Sequence, residues 1–201
     1  MTALRDATRG DHARTERSPF VTALLGGVLD RAAYADLLAQ WHAVYSALES
    51  AGDAFAADPV AGPFVDQDLR RVPALAADLA YLAGPSWPAE HPLTAATGRY
   101  VARIAASREP LAFLAHHYTR YLGDLSGGQV IGRAVRSAYA LDGGGATFFT
   151  FAAIPDAKAY KDAYRARLDA LPPGALTAEV SVAYGHNAAV FAALAERHLA
   201  P

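Results

Sequence analysis

The chain contains no cysteine among its 201 residues, which excludes disulfide bonds, thiolate-ligated zinc, iron–sulfur clusters and cysteine nucleophiles. Lysine is almost as scarce, because Lys158 and Lys161 are the only two and arginine supplies the other basic side chains. The formal net charge of −2 offers no basic field for nucleic acid or an anionic membrane. Any metal or cofactor must therefore be held by His, Asp, Glu, Tyr or Arg.

Long apolar runs are also missing. None approaches the roughly 18–20 residues that span a bilayer, and residues 1–12 are polar and lack the apolar stretch of a signal peptide. We therefore expect a cytoplasmic protein with no membrane segment. Hydrophobic residues make up 53% of the chain and charged residues 19%, which is enough apolar material for a core. The length predicts a single domain, residues 1–201.

Apolar residues recur at helical spacing along almost the whole chain. From Asp30 to about residue 56 they form one helix face, and Asp30 is placed to cap that helix. A second long pattern runs from Pro110 to about residue 141 and ends before the glycine run 143–145. The only strand-like string, residues 147–151, is too short for a sheet, so the pattern predicts an all-α fold. The other predicted helices are 2–16, 18–25, 66–83, 94–107, 156–171 and 177–198, the last two opened by Asp156 and Thr177.

One predicted helix contains an unusual density of glycine. Gly123, Gly127, Gly128 and Gly132 fall within ten residues. Each costs about 0.5–1 kcal/mol relative to alanine inside a helix. Such a stretch is favoured where a helix kinks, or where a large flat ligand approaches the backbone closely. The flanks are apolar and aromatic, so the ligand would be apolar, with Asp124 as a carboxylate beside it. A loop between two shorter helices is the alternative interpretation.

Residues 118–129, Tyr-Thr-Arg-Tyr-Leu-Gly-Asp-Leu-Ser-Gly-Gly-Gln, resemble the distal-helix motif of the heme oxygenases over its whole length. Residues 4–16 resemble the family's N-terminal helix, which carries the proximal histidine. Residues 148–151 and 161–167 resemble its later heme-edge helix, and residues 184–191 resemble its last helix. The resemblance covers nearly the whole chain, in the same order, and is to the soluble bacterial members. It implies an all-α single domain that sandwiches heme between a proximal helix and a kinked distal helix.

The resemblance implies that His12, one of seven histidines, is the axial ligand of the heme iron. Glu16 lies one helical turn later and would orient the imidazole ring. The two heme propionates require cations or hydroxyls, and the matching positions are Arg5, Tyr118, Lys161 and Arg165. Solvated helix charges and ordinary core packing are the alternative roles. The rest of the implied heme-binding set is Phe148, Phe191 and Asn187.

On the distal side the resemblance implies glycine backbone and one carboxylate. Gly123 and Gly127 would restrict how dioxygen tilts, and Asp124 would hold ordered water near it and deliver protons through that water. The implied hydrogen-bond network around Asp124 comprises Tyr45, Tyr100 and Arg120. Packing in the core or at the surface is the alternative role for these three residues. The motif offers no histidine aligned to act as a peroxidase-like acid.

The resemblance implies heme oxygenase activity, an oxidoreductase reaction in which heme is both cofactor and substrate. Dioxygen and electrons would convert heme to biliverdin, carbon monoxide and ferrous iron. The sequence carries no flavin or nicotinamide motif, so a separate reductase or ferredoxin would supply the electrons, and we expect a monomer. The alternatives are a non-catalytic heme carrier or sensor on the same fold, a heme peroxidase, and a carboxylate di-iron oxidase. The last of these requires Glu-x-x-His pairs, which this sequence lacks.

Overall fold

The structure is a computed structural model that describes Leu4 and residues 7–199, apart from the side chains of Glu16 and Pro173. These described residues form helices and contain no strand, as the apolar spacing predicts. The α-helices, in chain order, are α1 (Arg9–Glu16), α2 (Pro19–Leu25), α3 (Arg31–Phe55), α4 (Val72–Ala83), α5 (Trp87–Glu90), α6 (Ala95–Ala105), α7 (Pro110–Gly123), α8 (Gln129–Ala138), α9 (Ala157–Asp169) and α10 (Pro173–Leu199). A π-helical segment, Asp124–Gly128, joins α7 to α8.

Local capping chemistry sets where several helices begin. The carboxylate of Asp30 accepts a hydrogen bond from the backbone N–H three residues on, at 2.8 Å, and Asp156 does the same at 2.9 Å. Both predicted caps are confirmed. The prediction that Thr177 opens the last helix is wrong, because α10 begins at Pro173. Proline suits the first turn of a helix, where its missing N–H would have no partner in any case.

The strand-like string 147–151 is not a strand. Thr147–Phe149 form a short 3₁₀ helix instead. The buried carboxylate of Asp78 accepts hydrogen bonds from the backbone N–H and the hydroxyl of Thr147 and from the N–H of Phe148. The guanidinium of Arg71 donates to the carbonyl oxygens of Phe148 and Thr150. Groups distant in sequence therefore hold the backbone that carries Phe148.

Helix α7 lies at the centre of the molecule. All ten residues from Phe113 to Leu122 are buried, so this helix is surrounded by protein on every side. Helix α3 packs against α4, α6 and α7, and α10 packs against α1, α2, α6 and α7. The π-helical segment continues from the carboxyl end of this buried helix. No helix among the described residues is long and apolar enough to cross a membrane.

The glycine-rich stretch is helical throughout. The alternative of a loop between two helices is therefore wrong, since α7, the π-helical segment and α8 follow one another without a break. A π-helical turn places one extra residue in the turn, and such turns occur frequently at functional sites.

Candidate functional site

A cleft opens beside the π-helical segment and consists of two adjoining cavities. The inner cavity, of about 800 Å³ including its open side, is lined mostly by apolar side chains; they include Val21, Leu24, Leu37, Trp41, Ile131, Phe148, Phe149 and Phe191. The outer cavity, of about 1020 Å³ on the same measure, is more polar and is lined by Thr8, Arg9, Tyr118, Leu122, Ser126 and Arg165. His12, Gly123 and Tyr184 line both cavities, which makes them one continuous cleft.

The four glycines of the stretch have two different roles. A side chain at Gly123 or Gly127 would meet no atom within 4 Å, so bare backbone faces the cleft at both positions. A Cβ at Gly132 would lie 2.7 Å from the Cβ of Phe149, and one at Gly128 would lie 3.3 Å from the Cβ of Asp124. Internal packing therefore excludes a side chain at Gly132 and leaves little room for one at Gly128, whereas Gly123 and Gly127 leave room for something that enters the cleft.

Only one of the seven histidines lines this cleft. The ring of His12, on α1, is exposed and lies edge-on to the ring of Tyr184, with 5.8 Å between the ring centroids. His116 and His117 are buried core residues, and burial lowers their pKa values to about 4 and about 3. His12 is thus the imidazole that a ligand in the cleft would meet.

A buried charged network stands behind the glycine backbone. Asp124 accepts a hydrogen bond from the hydroxyl of Tyr45 and pairs with Arg120, whose Nη2 lies 3.2 Å from Oδ1. Arg120 also donates to Oδ1 of Asn187 at 2.9 Å and lies 4.0 Å above the ring of Trp41. Burial raises the pKa of Asp124, while the charge of Arg120 and the Tyr45 hydrogen bond oppose that rise. The arrangement provides a fixed acidic group that can hold water and exchange protons at the wall of the cleft.

The family model described as "Heme oxygenase" matches residues 1–192. The chain belongs to the heme oxygenase family. It is 38% identical over 178 residues to heme oxygenase 1 of Synechocystis, covering 88% of this chain and 74% of that protein. It is 41% identical over 172 residues to heme oxygenase of Porphyra purpurea, covering 84% of this chain and 73% of that protein.

The fold agrees with a solved heme oxygenase. The crystal structure of heme oxygenase-1 from the cyanobacterium Synechocystis in complex with heme superimposes with a TM-score of 0.88 at 35% identity. The match covers 95% of this chain and 90% of that one. The predicted all-α heme oxygenase fold is therefore confirmed.

The residues of the cleft suit a heme group. No group of three or more His, Asp or Glu side chains in the described part of the chain could hold a bare metal ion. An iron that brings four porphyrin nitrogens needs only one more donor from the protein, and His12 offers one imidazole. The apolar inner cavity and the bare backbone of Gly123 and Gly127 match a wide flat macrocycle, and the polar outer cavity matches its carboxylates.

Most of the predicted site residues come together in this cleft. Those that line the inner cavity are His12, Arg120, Gly123, Asp124, Gly127, Phe148, Asn187 and Phe191. Tyr118 and Arg165 line the outer cavity, and Tyr45 reaches Asp124 from α3. Arg5 and the side chain of Glu16 lie outside the described residues, so their predicted roles stay predictions.

Two predicted residues stand apart from the cleft. The ammonium of Lys161 donates to the carbonyl of Leu125 at 3.2 Å and to the hydroxyl of Ser126 at 2.9 Å, and the residue lines neither cavity. The hydroxyl of Tyr100 is buried and makes no hydrogen bond to Asp124 or to another described residue. Lys161 therefore supports the π-helical segment, and Tyr100 lies at the back of the network.

Sequence reasoning missed several lining residues. Arg9 lies one helical turn before His12, so the same helix spacing could have placed it at the outer cavity. Trp41 was missed as well; the guanidinium of Arg120 lies over the face of its ring. Trp41 lies on the apolar face of α3, as an ordinary core residue would. No sequence signal distinguishes a residue that lines the cleft from a core residue at such a position. Ile131, Phe149 and Tyr184 were missed for the same reason.

Proposed function

We propose that this chain acts as a heme oxygenase, an oxidoreductase that cleaves heme with dioxygen and electrons to biliverdin, carbon monoxide and ferrous iron. Family membership supports the activity. The observation that carries it at the level of residues is the cleft in which His12 and the bare backbone of Gly123 and Gly127 face the same apolar space, with Asp124 at its wall. Each of these groups has a role in the chemistry.

When bound, heme supplies the iron that activates dioxygen and the porphyrin carbon that is oxidised. In this proposal the imidazole of His12 would hold the heme iron, and the ring edge of Tyr184 would limit the rotation of that imidazole. Phe148 and Phe191 cover the macrocycle and exclude water from it. Gly123 and Gly127 let the macrocycle approach the helix backbone, because any side chain there would occupy the cleft.

Asp124 is proposed to hold ordered water at the cleft wall and to pass protons through it. Tyr45 and Arg120 orient its carboxylate, and Asp124 lines the inner cavity, where its remaining lone pairs are available to water. A positioned water delivers a proton more weakly than an imidazole would, and no histidine other than His12 lines the cleft. This difference favours oxygenase chemistry over peroxidase chemistry.

The carboxylates of heme are proposed to lie in the outer cavity. Arg9, Arg165 and the hydroxyl of Tyr118 line it. Charge-assisted hydrogen bonds to such cations are stronger than neutral ones. Lys161 could join them only by giving up its contacts with Leu125 and Ser126. Arg165 is therefore the first proposed propionate partner, and Lys161 is a second one only if it leaves those contacts.

The same proposal includes a separate reductase or ferredoxin as electron donor, and a cytoplasmic monomer as the working form. The absence of a flavin or nicotinamide motif from the sequence supports the separate donor.

A spectroscopic assay tests the function. Hemin is added to the purified chain, followed by ascorbate or a reductase system under air, and the absorption spectrum and carbon monoxide release are recorded. Loss of the Soret band with growth of a biliverdin absorption supports the enzyme, and Asp124→Ala serves as the matched variant with reduced biliverdin yield. A Soret band that persists under these conditions, with no biliverdin, would identify the chain as a heme carrier and overturn the proposal.

A further inference from the structure

Three buried polar atoms behind the Asp124 network have no hydrogen-bond partner among the described residues: the hydroxyl of Tyr100, Nδ1 of His116 and Nε of Arg120. The rings of Tyr100 and His116 lie 5.6 Å apart, and Arg120 follows His116 by one turn of α7. Buried polar groups are almost always satisfied by protein or by ordered water. The charge of Arg120 also acts on the hydroxyl of Tyr100, so the three orphaned atoms belong to one region on and beside α7.

The other ring nitrogen of His116 is occupied. Its Nε2 lies 3.0 Å from Oε1 of Glu179, and Glu179 is also bound by the partly exposed guanidinium of Arg103, with Nε 2.8 Å from the carboxylate. Burial favours a higher pKa for Glu179, but its bonds to Arg103 and His116 prevail and lower it. Burial lowers the pKa of His116 to about 4. At neutral pH an ionised Glu179 accepts from Nε2–H of a neutral His116.

This pairing determines what Nδ1 can do. In a neutral imidazole with its proton on Nε2, Nδ1 is an acceptor with a free lone pair. Nε of Arg120 is a donor, and so is the hydroxyl of Tyr100. Asn187 lies close to that hydroxyl without hydrogen-bond geometry, and the ring of His186 stacks on Tyr100 at 5.0 Å. Two orphaned donors and one orphaned acceptor complement one another through water, which makes about three hydrogen bonds when buried.

We propose that His116 and Glu179 are positioning residues for heme cleavage, acting through ordered water that joins Nδ1 of His116 to Tyr100 and to Nε of Arg120. The inference rests on the proposed function. Glu179 fixes the tautomer, His116 presents the acceptor, and the water so held keeps the guanidinium of Arg120 in the orientation that pairs with Asp124. The network around Asp124 then extends from the cleft to Arg103 at the protein surface.

The first test uses the heme-free protein, so its outcome does not depend on activity. A high-resolution crystal structure is expected to show ordered water within about 3.2 Å of Nδ1 of His116 and of at least one of the two donors. Long-range ¹H–¹⁵N spectra at pH 7 are expected to show His116 neutral with its proton on Nε2. A direct bond between Tyr100 and Nδ1, or a proton on Nδ1, would overturn the proposal.

The second test compares two substitutions of His116 that each keep one half of the imidazole. His116→Asn places an amide oxygen near the position of Nδ1, whereas His116→Gln reaches Glu179 but offers no acceptor at that position. With unchanged heme affinity, biliverdin formation is expected to fall about fivefold in His116→Gln, as for loss of one hydrogen bond, and to fall less in His116→Asn. The solvent deuterium isotope effect on biliverdin formation is expected to change in the same order.

If His116→Asn formed biliverdin more slowly than His116→Gln, His116 would matter only through its hydrogen bond to Glu179, and the proposal would be overturned. Equal rates in the two variants would also overturn it. A wild-type chain that forms no biliverdin would refute the proposed function instead. In that case the crystal structure and the ¹H–¹⁵N spectra of the heme-free protein would still test whether the ordered water and the Nε2 tautomer of His116 exist.

Discussion

Alanine substitutions at two helical glycines are expected to have opposite effects on the stability of the heme-free protein. At Gly127 a Cβ would meet no atom within 4 Å. Only the helix propensity changes, so Gly127→Ala should stabilise the heme-free chain by about 0.5–1 kcal/mol. At Gly132 the new Cβ would lie 2.7 Å from the Cβ of Phe149 and 3.0 Å from its Cγ. These atoms lie next to the backbone and cannot rotate away.

The balance of two terms decides the sign at Gly132. Overpacking costs about 1–3 kcal/mol, against a propensity gain of about 1 kcal/mol. Phe149 is also held by Phe148, whose ring centroid is 4.8 Å away, and by a 2.7 Å hydrogen bond from Gln129 to its carbonyl. The site can therefore relax little, and Gly132→Ala should destabilise the chain by about 1–2 kcal/mol, with a fall in Tm of about 2–4 °C per kcal/mol.

Heme binding separates the two roles of glycine. The methyl group of Gly127→Ala would project into the cleft. A steric cost of about 1.4 kcal/mol to heme binding, which is at the low end for overpacking, corresponds to about tenfold weaker affinity. Gly98→Ala is the matched control, because Gly98 lies exposed on α6 with no atom near its missing Cβ. Urea unfolding of the heme-free proteins and Soret titration with hemin measure both quantities. Lower stability of Gly127→Ala, or unchanged heme affinity, would refute the reasoning.

Three further predictions concern ionisable residues. His12→Ala should still bind heme through the apolar cleft but lose the spectrum of the axial imidazole and most turnover; an unchanged spectrum would exclude His12 as the ligand. Asp124→Ala should keep heme affinity and lose most biliverdin formation, with Asp124→Asn milder because an amide still holds water; chromatography of the pigments at wild-type yield would contradict this. His117 has a pKa lowered to about 3 by burial, whereas an unfolded histidine titrates near about 6.5. Protons therefore bind the unfolded chain more tightly, and urea unfolding should show stability falling from about pH 6.5 toward about pH 3, by up to about 1.4 kcal/mol per pH unit for this residue. A slope unaltered in His117→Gln would argue against its neutral burial.

Interactions close in sequence were the ones that could be predicted from it. The caps at Asp30 and Asp156 bond to backbone three residues away, so the signal lies within one turn. The glycine density at residues 123–132 indicated a backbone approached closely by a ligand or kinked, and two of these glycines do face the cleft. The motif resemblance identified eight of the eighteen residues that line the inner cavity.

Pairings between distant segments were not predictable in the same way. Asp78 and Arg71 hold the Thr147–Phe149 turn across about 70 residues of sequence, and this pairing turned a strand-like string into a 3₁₀ helix. Lys161 bonds to the π-helical segment, although the resemblance implied that it meets a propionate. Tyr100 sits behind the network that the resemblance assigned to it.

The sequence by itself determined the helical class, the family and the identities of the chemical groups, because apolar spacing, caps and a long motif are properties of neighbouring residues. The tertiary structure alone decided which glycines face open space, where the more polar cavity of the cleft lies, and which buried polar atoms lack a partner. Those properties depend on how helices far apart in the chain pack against one another, and burial then sets the pKa values of Asp124 and His116.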